Sequence, residues 1–130
     1  MKRMRIVLVL IIFVSPFFIT ACSVKGNEHN TELSGKVENG VRIINVSAYR
    51  YKFEPDPIMV RSGEKVRLLV TAADVSHGLA IPDFKVNLAV DADKTGSVEF
   101  IADKKGTFQA HCSVYCGSGH GHMHAAFIVK

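Results

Sequence analysis

Cys112-Ser113-Val114-Tyr115-Cys116-Gly117-Ser118-Gly119-His120-Gly121-His122-Met123 sets two thiols, an imidazole at His120 and a thioether within one short loop. Strand signals flank it, Thr107 to Cys112 before and His124 to Val129 after, so the loop's first thiol is expected at a strand end. Thiolate and thioether select copper or zinc over hard cations, and imidazole suits both. A weakly bound axial Met favours copper. Glycines at 117, 119 and 121 let the backbone wrap closely, because glycine tolerates angles that other residues avoid.

Outward from the loop, the remaining pattern is also β. Val41, Ile43 and Asn45 alternate with Arg42, Ile44 and Val46, and the run continues through Tyr49, Tyr51 and Phe53 until Pro55 and Pro57 stop it. Val66, Leu68 and Val70 share one face of a half-buried strand. Ile58 to Val60, His77 to Ile81 and Ser97 to Ile101 are shorter candidates, separated by Ser62-Gly63, Pro82-Asp83, Thr95-Gly96 and Lys105-Gly106. No segment holds a helical period with caps, so the fold class is all-β, a sandwich or barrel. Residues 41–130 are expected to form one small domain with a modest core, helped by a bound metal.

The chain begins differently. Met1-Lys2-Arg3-Met4-Arg5 is cationic and leads into a mostly apolar run from Ile6 to Phe18, then Ile19-Thr20-Ala21-Cys22. Such a run falls short of the roughly 20 residues that span a bilayer and reads as a signal peptide over residues 1–21. Its Ile-Thr-Ala-Cys ending resembles the lipobox of bacterial lipoproteins, which implies that Cys22 is the lipid attachment point. An ordinary signal and an uncleaved anchor are the competing readings. Residues 22–40 are polar and broken by Ser34-Gly35 and Asn39-Gly40, as in a tether. The folded part is thereby expected on the extracytoplasmic face of a bacterial membrane. The formal charge of +4 is largely a property of the leader, since residues 22–130 hold 13 Lys+Arg against 12 Asp+Glu. That balance gives no warrant for nucleic-acid binding.

Five residues form the expected ligand set: His77, Cys112, Cys116, His120 and Met123, at steps of 35, 4, 4 and 3. Without Cys112 the other four would suffice for a mononuclear blue-copper site, two imidazoles and a thiolate with a long axial thioether. Two thiolates can instead bridge two coppers, with one His for each. An electron shared over such a pair changes each metal's charge and bond lengths little, which favours fast electron transfer.

The pattern His77 … Cys112-x-x-x-Cys116-x-x-x-His120-x-x-Met123 resembles the binuclear CuA domain of cytochrome c oxidase subunit II. Asp74-Val75-Ser76-His77-Gly78-Leu79 is similar to that family's Asp-x-x-His-Gly-apolar segment. Tyr51-Lys52-Phe53-Glu54-Pro55-Asp56-Pro57-Ile58 resembles the strand before the upstream His, most closely in the ba3-type oxidases. The resemblance implies a cupredoxin-like Greek-key β-barrel holding two copper ions. It implies that Cys112 and Cys116 bridge both, that His77 and Met123 complete one, and that His120 with the backbone carbonyl of Val114 completes the other. As partners it implies an electron donor such as a cytochrome c or small copper protein, and a haem-copper oxidase subunit I as acceptor.

Three departures stand out. Many family members place between the two cysteines a Glu that meets a magnesium ion at the subunit I interface, whereas this chain has Val114, of which only the carbonyl can serve. The chain has no Trp, the electron-entry residue of many such subunits, and Tyr49, Tyr51 or Phe53 is the alternative aromatic surface. The paired transmembrane helices of standard subunit II are missing, which suggests a stand-alone, lipid-tethered version.

A Cys112–Cys116 disulfide is the bland alternative in an exported protein. It explains neither His120 and Met123 nor the upstream match. His29 is expected to be solvated, His111 to face away from Cys112, and His122 and His124 to be an electron-entry contact, a capture ligand or nothing. Electron transfer is the leading function. The competitors are a copper chaperone or copper-delivery lipoprotein for a cuproenzyme and a mononuclear blue-copper carrier. Sco-type chaperones share the Cys-x-x-x-Cys…His pattern but place it early in an α/β chain.

Overall fold

Alternation along two long strands decides where the core lies. In β2 (Val41–Tyr49) Ile44, Val46 and Ala48 are buried, and in β5 (Lys65–Ala72) Val66, Leu68, Val70 and Ala72 are buried. These strands pair in parallel from Val41 opposite Lys65 to Ala48 opposite Ala72, so their apolar residues form one continuous face. The computed structural model describes residues 32–130. The expected signal at 1–21, Cys22, His29 and the first part of the tether lie outside the described residues.

Around that pair, β1 (Lys36–Glu38) and β3 (Lys52–Glu54) lie antiparallel to β2, and β8 (Thr95–Ile101) lies antiparallel to β5. The second sheet contains β4 (Ile58–Val60), β6 (His77–Ile81), β7 (Val86–Val90), β9 (Gly106–His111) and β10 (His124–Val129). Its spatial order is β4-β10-β9-β6-β7, with β4 and β10 parallel and the other neighbours antiparallel. Between the sheets, Phe84 packs against Phe100, Phe108 and Phe127 at centroid separations of 5.5, 4.9 and 5.3 Å, two of them edge to face, a favoured aromatic geometry.

Three details depart from the sequence reading. Residues 36–38, read there as the end of a tether, form β1. The run from Val41 to Phe53 is two strands, because the chain turns at Arg50-Tyr51 and β3 folds back on β2. Strand β7 was not anticipated. Its Asn87 and Ala89 give a weak β signal, and pairing with β6 supplies what local propensity does not.

Arg42 lies on the inward face of β2, where alternation alone would call for an apolar residue, and is only 6% exposed. Its Nε and Nη2 donate to Glu64 Oε2 and Oε1 at 2.6 and 2.8 Å, and its Nη1 donates to the Ser34 carbonyl at 3.0 Å. A buried guanidinium is tolerated because this bidentate pairing meets its donors. Ser34 also exchanges hydrogen bonds with Met59, giving its N–H to the Met59 carbonyl and accepting the Met59 N–H on Oγ. The incoming segment is thereby clipped to the start of β2.

Candidate metal centre

All the expected donors come from one end of the second sheet. His77 opens β6, Cys112 follows β9, His120 opens a 3-10 turn (His120–His122), and Met123 immediately precedes β10. The Cys112 N–H donates to the Met123 carbonyl at 3.0 Å, and the Ser113 N–H to the Gly78 carbonyl at 3.3 Å, which ties the ends of three strands together. The loop sits tightly on β6. A Cβ added at Gly78 would collide with Ser113 Oγ and approach Val114 N to 3.0 Å, so the glycine permits this contact.

The two sulfurs of Cys112 and Cys116 lie 3.8 Å apart, and both thiols are free. A disulfide requires about 2.05 Å, so the cysteines stand as two separate thiols. Each has its own imidazole. His77 Nδ1 lies 3.8 Å from Cys112 Sγ, and His120 Nδ1 lies 3.7 Å from Cys116 Sγ. Met123 Sδ is 3.7 Å from Cys116 Sγ, while Cys112 donates its thiol hydrogen to the Val114 carbonyl at 3.1 Å. The ligand atoms of His77, Cys112 and Cys116 all fall within 4.8 Å of one another. With metal–sulfur bonds near 2.3 Å and metal–nitrogen bonds near 2.0 Å, these gaps accept ions between the donors. Two thiolates, two imidazoles, a thioether and a carbonyl are a donor set that fits copper, and His77 and Met123 are almost fully enclosed.

Asp74 fixes how His77 is presented. Its Oδ1 lies 2.7 Å from His77 Nε2, so Nδ1 is the nitrogen that faces Cys112. A carboxylate behind a ligating histidine sets ring orientation and basicity. Asp74 also accepts the Arg50 N–H on Oδ2 at 2.9 Å and the Val75 N–H on Oδ1 at 2.8 Å. Burial pushes its pKa up, but these hydrogen bonds and the His77 contact together outweigh burial and lower it from 3.8 to about 2. At Cys116, burial first and the neighbouring Cys112 second push the thiol up to about 11. A metal must therefore displace its proton.

Arg50 and Tyr51 brace the loop from the other sheet. Arg50 Nε donates to the Cys116 carbonyl at 2.8 Å. The Tyr51 ring lies where Cβ atoms at Gly117 and Gly119 would stand. Of the three loop glycines only Gly117 uses a positive φ, at 135°; Gly119 is needed for room against Tyr51, and a Cβ at Gly121 would meet nothing. The Asp74–His77 spacing could have announced the orienting carboxylate. Nothing local to Arg50 or Tyr51 announces their contacts, which span more than 60 residues.

The aromatic surface differs from expectation. Phe53 is buried at 1% exposure, and Tyr51 is covered in part by the loop it braces. Tyr115 is the aromatic that faces solvent, 77% exposed, with its ring 5.7 Å from that of His120. His111 is half-buried on the face opposite buried Ala110 and Cys112, and His122 and His124 are exposed.

Residues 39–129 match the family model described as cytochrome c oxidase subunit II, periplasmic domain. The chain belongs to this family. It is 32% identical over 102 residues to nitrous-oxide reductase of Ralstonia nicotianae, a match covering 75% of this chain and 16% of that protein. It is 29% identical over 85 residues to cytochrome c oxidase subunit 2 of Thermus thermophilus, covering 65% of this chain and 63% of that one. The match thus spans under two thirds of each relative. Among solved structures, the periplasmic domain of subunit II of cytochrome oxidase from Bradyrhizobium japonicum superposes with a TM-score of 0.63 at 24% identity, covering 68% of this chain and 83% of that one. The fold is the cupredoxin-like β architecture expected from the sequence. Among the described residues no helix is long and apolar enough to cross a membrane.

Proposed function

We propose that this domain transfers electrons through a binuclear copper centre held by His77, Cys112, the Val114 carbonyl, Cys116, His120 and Met123. One observation carries the reading: two unbonded cysteine sulfurs 3.8 Å apart, each beside the Nδ1 of a different histidine. A one-copper site would need only one of those thiols. Bound there, a copper pair supplies a one-electron change shared over two ions, with little rearrangement of the surrounding bonds.

The residues do the rest. Cys112 and Cys116 would hold the coppers through their thiolates, and Asp74 orients His77 through Nε2. Burial of His77, Cys112, Cys116 and Met123 leaves little of these side chains open to solvent, which lowers the solvent reorganisation that accompanies a charge change. Tyr115, solvent-facing and beside His120, offers the contact for a donor such as a cytochrome c or small copper protein. The acceptor is a haem-copper oxidase subunit I, and the domain works on the extracytoplasmic face of a bacterial membrane, anchored through lipid on Cys22. Family membership supports the extracytoplasmic location.

The enclosure of the donors favours an electron carrier over a copper-delivery protein, which must surrender its cargo readily. Copper content and electron paramagnetic resonance of the loaded chain test the proposal. Two coppers per chain and a hyperfine pattern from one electron shared equally by two nuclei are expected. One copper with a localised electron would overturn it. Retention of copper through redox cycles against a thiol competitor is expected of the carrier, and ready loss would favour the delivery role.

A further inference from the structure

We infer that His111 and His124 form a second metal-ion site, an exterior one on the lip of the donor loop, which takes a divalent d-block cation. The two residues are direct partners in the β9–β10 ladder. The next pair along, Cys112 and Met123, is joined by the Cys112 N–H to Met123 carbonyl hydrogen bond. Antiparallel ladders alternate, so His111 and His124 occupy a non-hydrogen-bonded position, where Cα atoms approach to about 4.5 Å and side chains stand closest. Both belong to the outward face, since Ala110 and Ala125, their neighbours along the strands, are buried.

Three further observations point to a cation. Both histidines line one open cavity of ≈ 360 Å³, which contains no Lys, Arg, Asp or Glu. Neither imidazole is engaged by a hydrogen bond or ion pair with the described protein, so both keep nitrogen lone pairs available. Gln109, two residues before His111 on the same face, lines the same cavity and offers an amide oxygen as a third donor. Paired imidazoles with an oxygen suit copper(II), nickel(II) or zinc. The cavity is also lined by Cys112, His120 and Met123, so the exterior ion would lie at its mouth, directly beside the interior centre, and would be held by the imidazoles of His111 and His124.

The site is tested by calorimetric titration of nickel(II) into the copper-loaded full chain in detergent. One nickel per chain is expected. His111→Ala and His124→Ala should each weaken it about 100-fold, because one ligand is lost from an intramolecular pair, while His122→Ala should leave it unchanged. No nickel bound, or binding that survives both substitutions or disappears with His122→Ala, would overturn the inference. A second arm separates it from the proposed copper centre. In a Cys112→Ser/Cys116→Ser chain, copper(II) should still bind once, with resonance features of nitrogen ligands that vanish with His124→Ala; loss of this signal from a chain whose circular dichroism is unchanged would overturn it equally. Should the double variant not fold, the nickel arm decides.

Discussion

His77 Nε2 stands 2.7 Å from Asp74 Oδ1, and this contact settles which face of the ring meets Cys112. Asp74→Ala frees the ring to turn. Copper affinity should fall about 10- to 100-fold, the usual cost of losing a carboxylate behind a ligating histidine. Competition against a copper chelator measures this, and circular dichroism should show the fold retained.

The same carboxylate makes an acid-dependent contribution to stability. Its folded pKa of about 2 lies below the ordinary 3.8. The contribution is therefore complete above pH 3.8 and is lost as pH falls through about 2. Denaturant midpoints of the metal-free chain should fall between pH 5 and pH 2.5 by more in the native sequence than in Asp74→Asn. Equal slopes would show that Asp74 is not linked to folding.

Removing one bridge should simplify the copper centre without abolishing it. Cys112→Ser leaves His77, Cys116, His120 and Met123, and is expected to hold one copper with a localised electron. Complete loss of copper would count against bridging. Because the Cys116 thiol is pushed up to about 11, copper uptake near neutral pH should release a proton from it, visible as pH-dependent loading.

At the far end of β2, Glu64→Ala strands the Arg42 guanidinium. Breaking a buried pair typically costs about 3–5 kcal/mol, and partial exposure of Glu64 brings the expected loss to about 2 kcal/mol. Chemical denaturation measures it. The copper spectrum should not change, since Arg50 and Tyr51 brace the donor loop at the other end of the strand.

Tyr115→Ala removes the exposed ring next to His120. Second-order reduction by a cytochrome c or small copper protein should slow by about tenfold, equivalent to about 1.4 kcal/mol of docking energy, at unchanged copper content. An unaltered rate would place electron entry elsewhere.

Much of this arrangement was legible because chemistry and period coincided. Cys112, Cys116, His120 and Met123 are local, and Asp74-x-x-His77-Gly78 supplied the distant histidine that stands beside them, together with the glycine that lets Ser113 and Val114 pack on β6. Alternation announced the buried face of β5, Val66, Leu68 and Val70. It could not give Arg42 as an inward residue, because the partner that satisfies it, Glu64, is 22 positions away. Strand β7 and the bracing role of Tyr51 were hidden for the same reason. Each is fixed by a neighbour in space, and the sequence around each carries no trace of that neighbour.

The clip of Ser34 by Arg42 gives the domain a direction. Ser34 is fastened at the start of β2, and the proposed copper ligands cluster where β2 ends and Arg50 reaches Cys116. Nine residues of extended strand separate the two ends by about 30 Å. The donor loop therefore lies at the end of β2 opposite the Ser34 clip, and a redox partner approaching that end meets Tyr115 and His120 without crossing the residues that fasten Ser34.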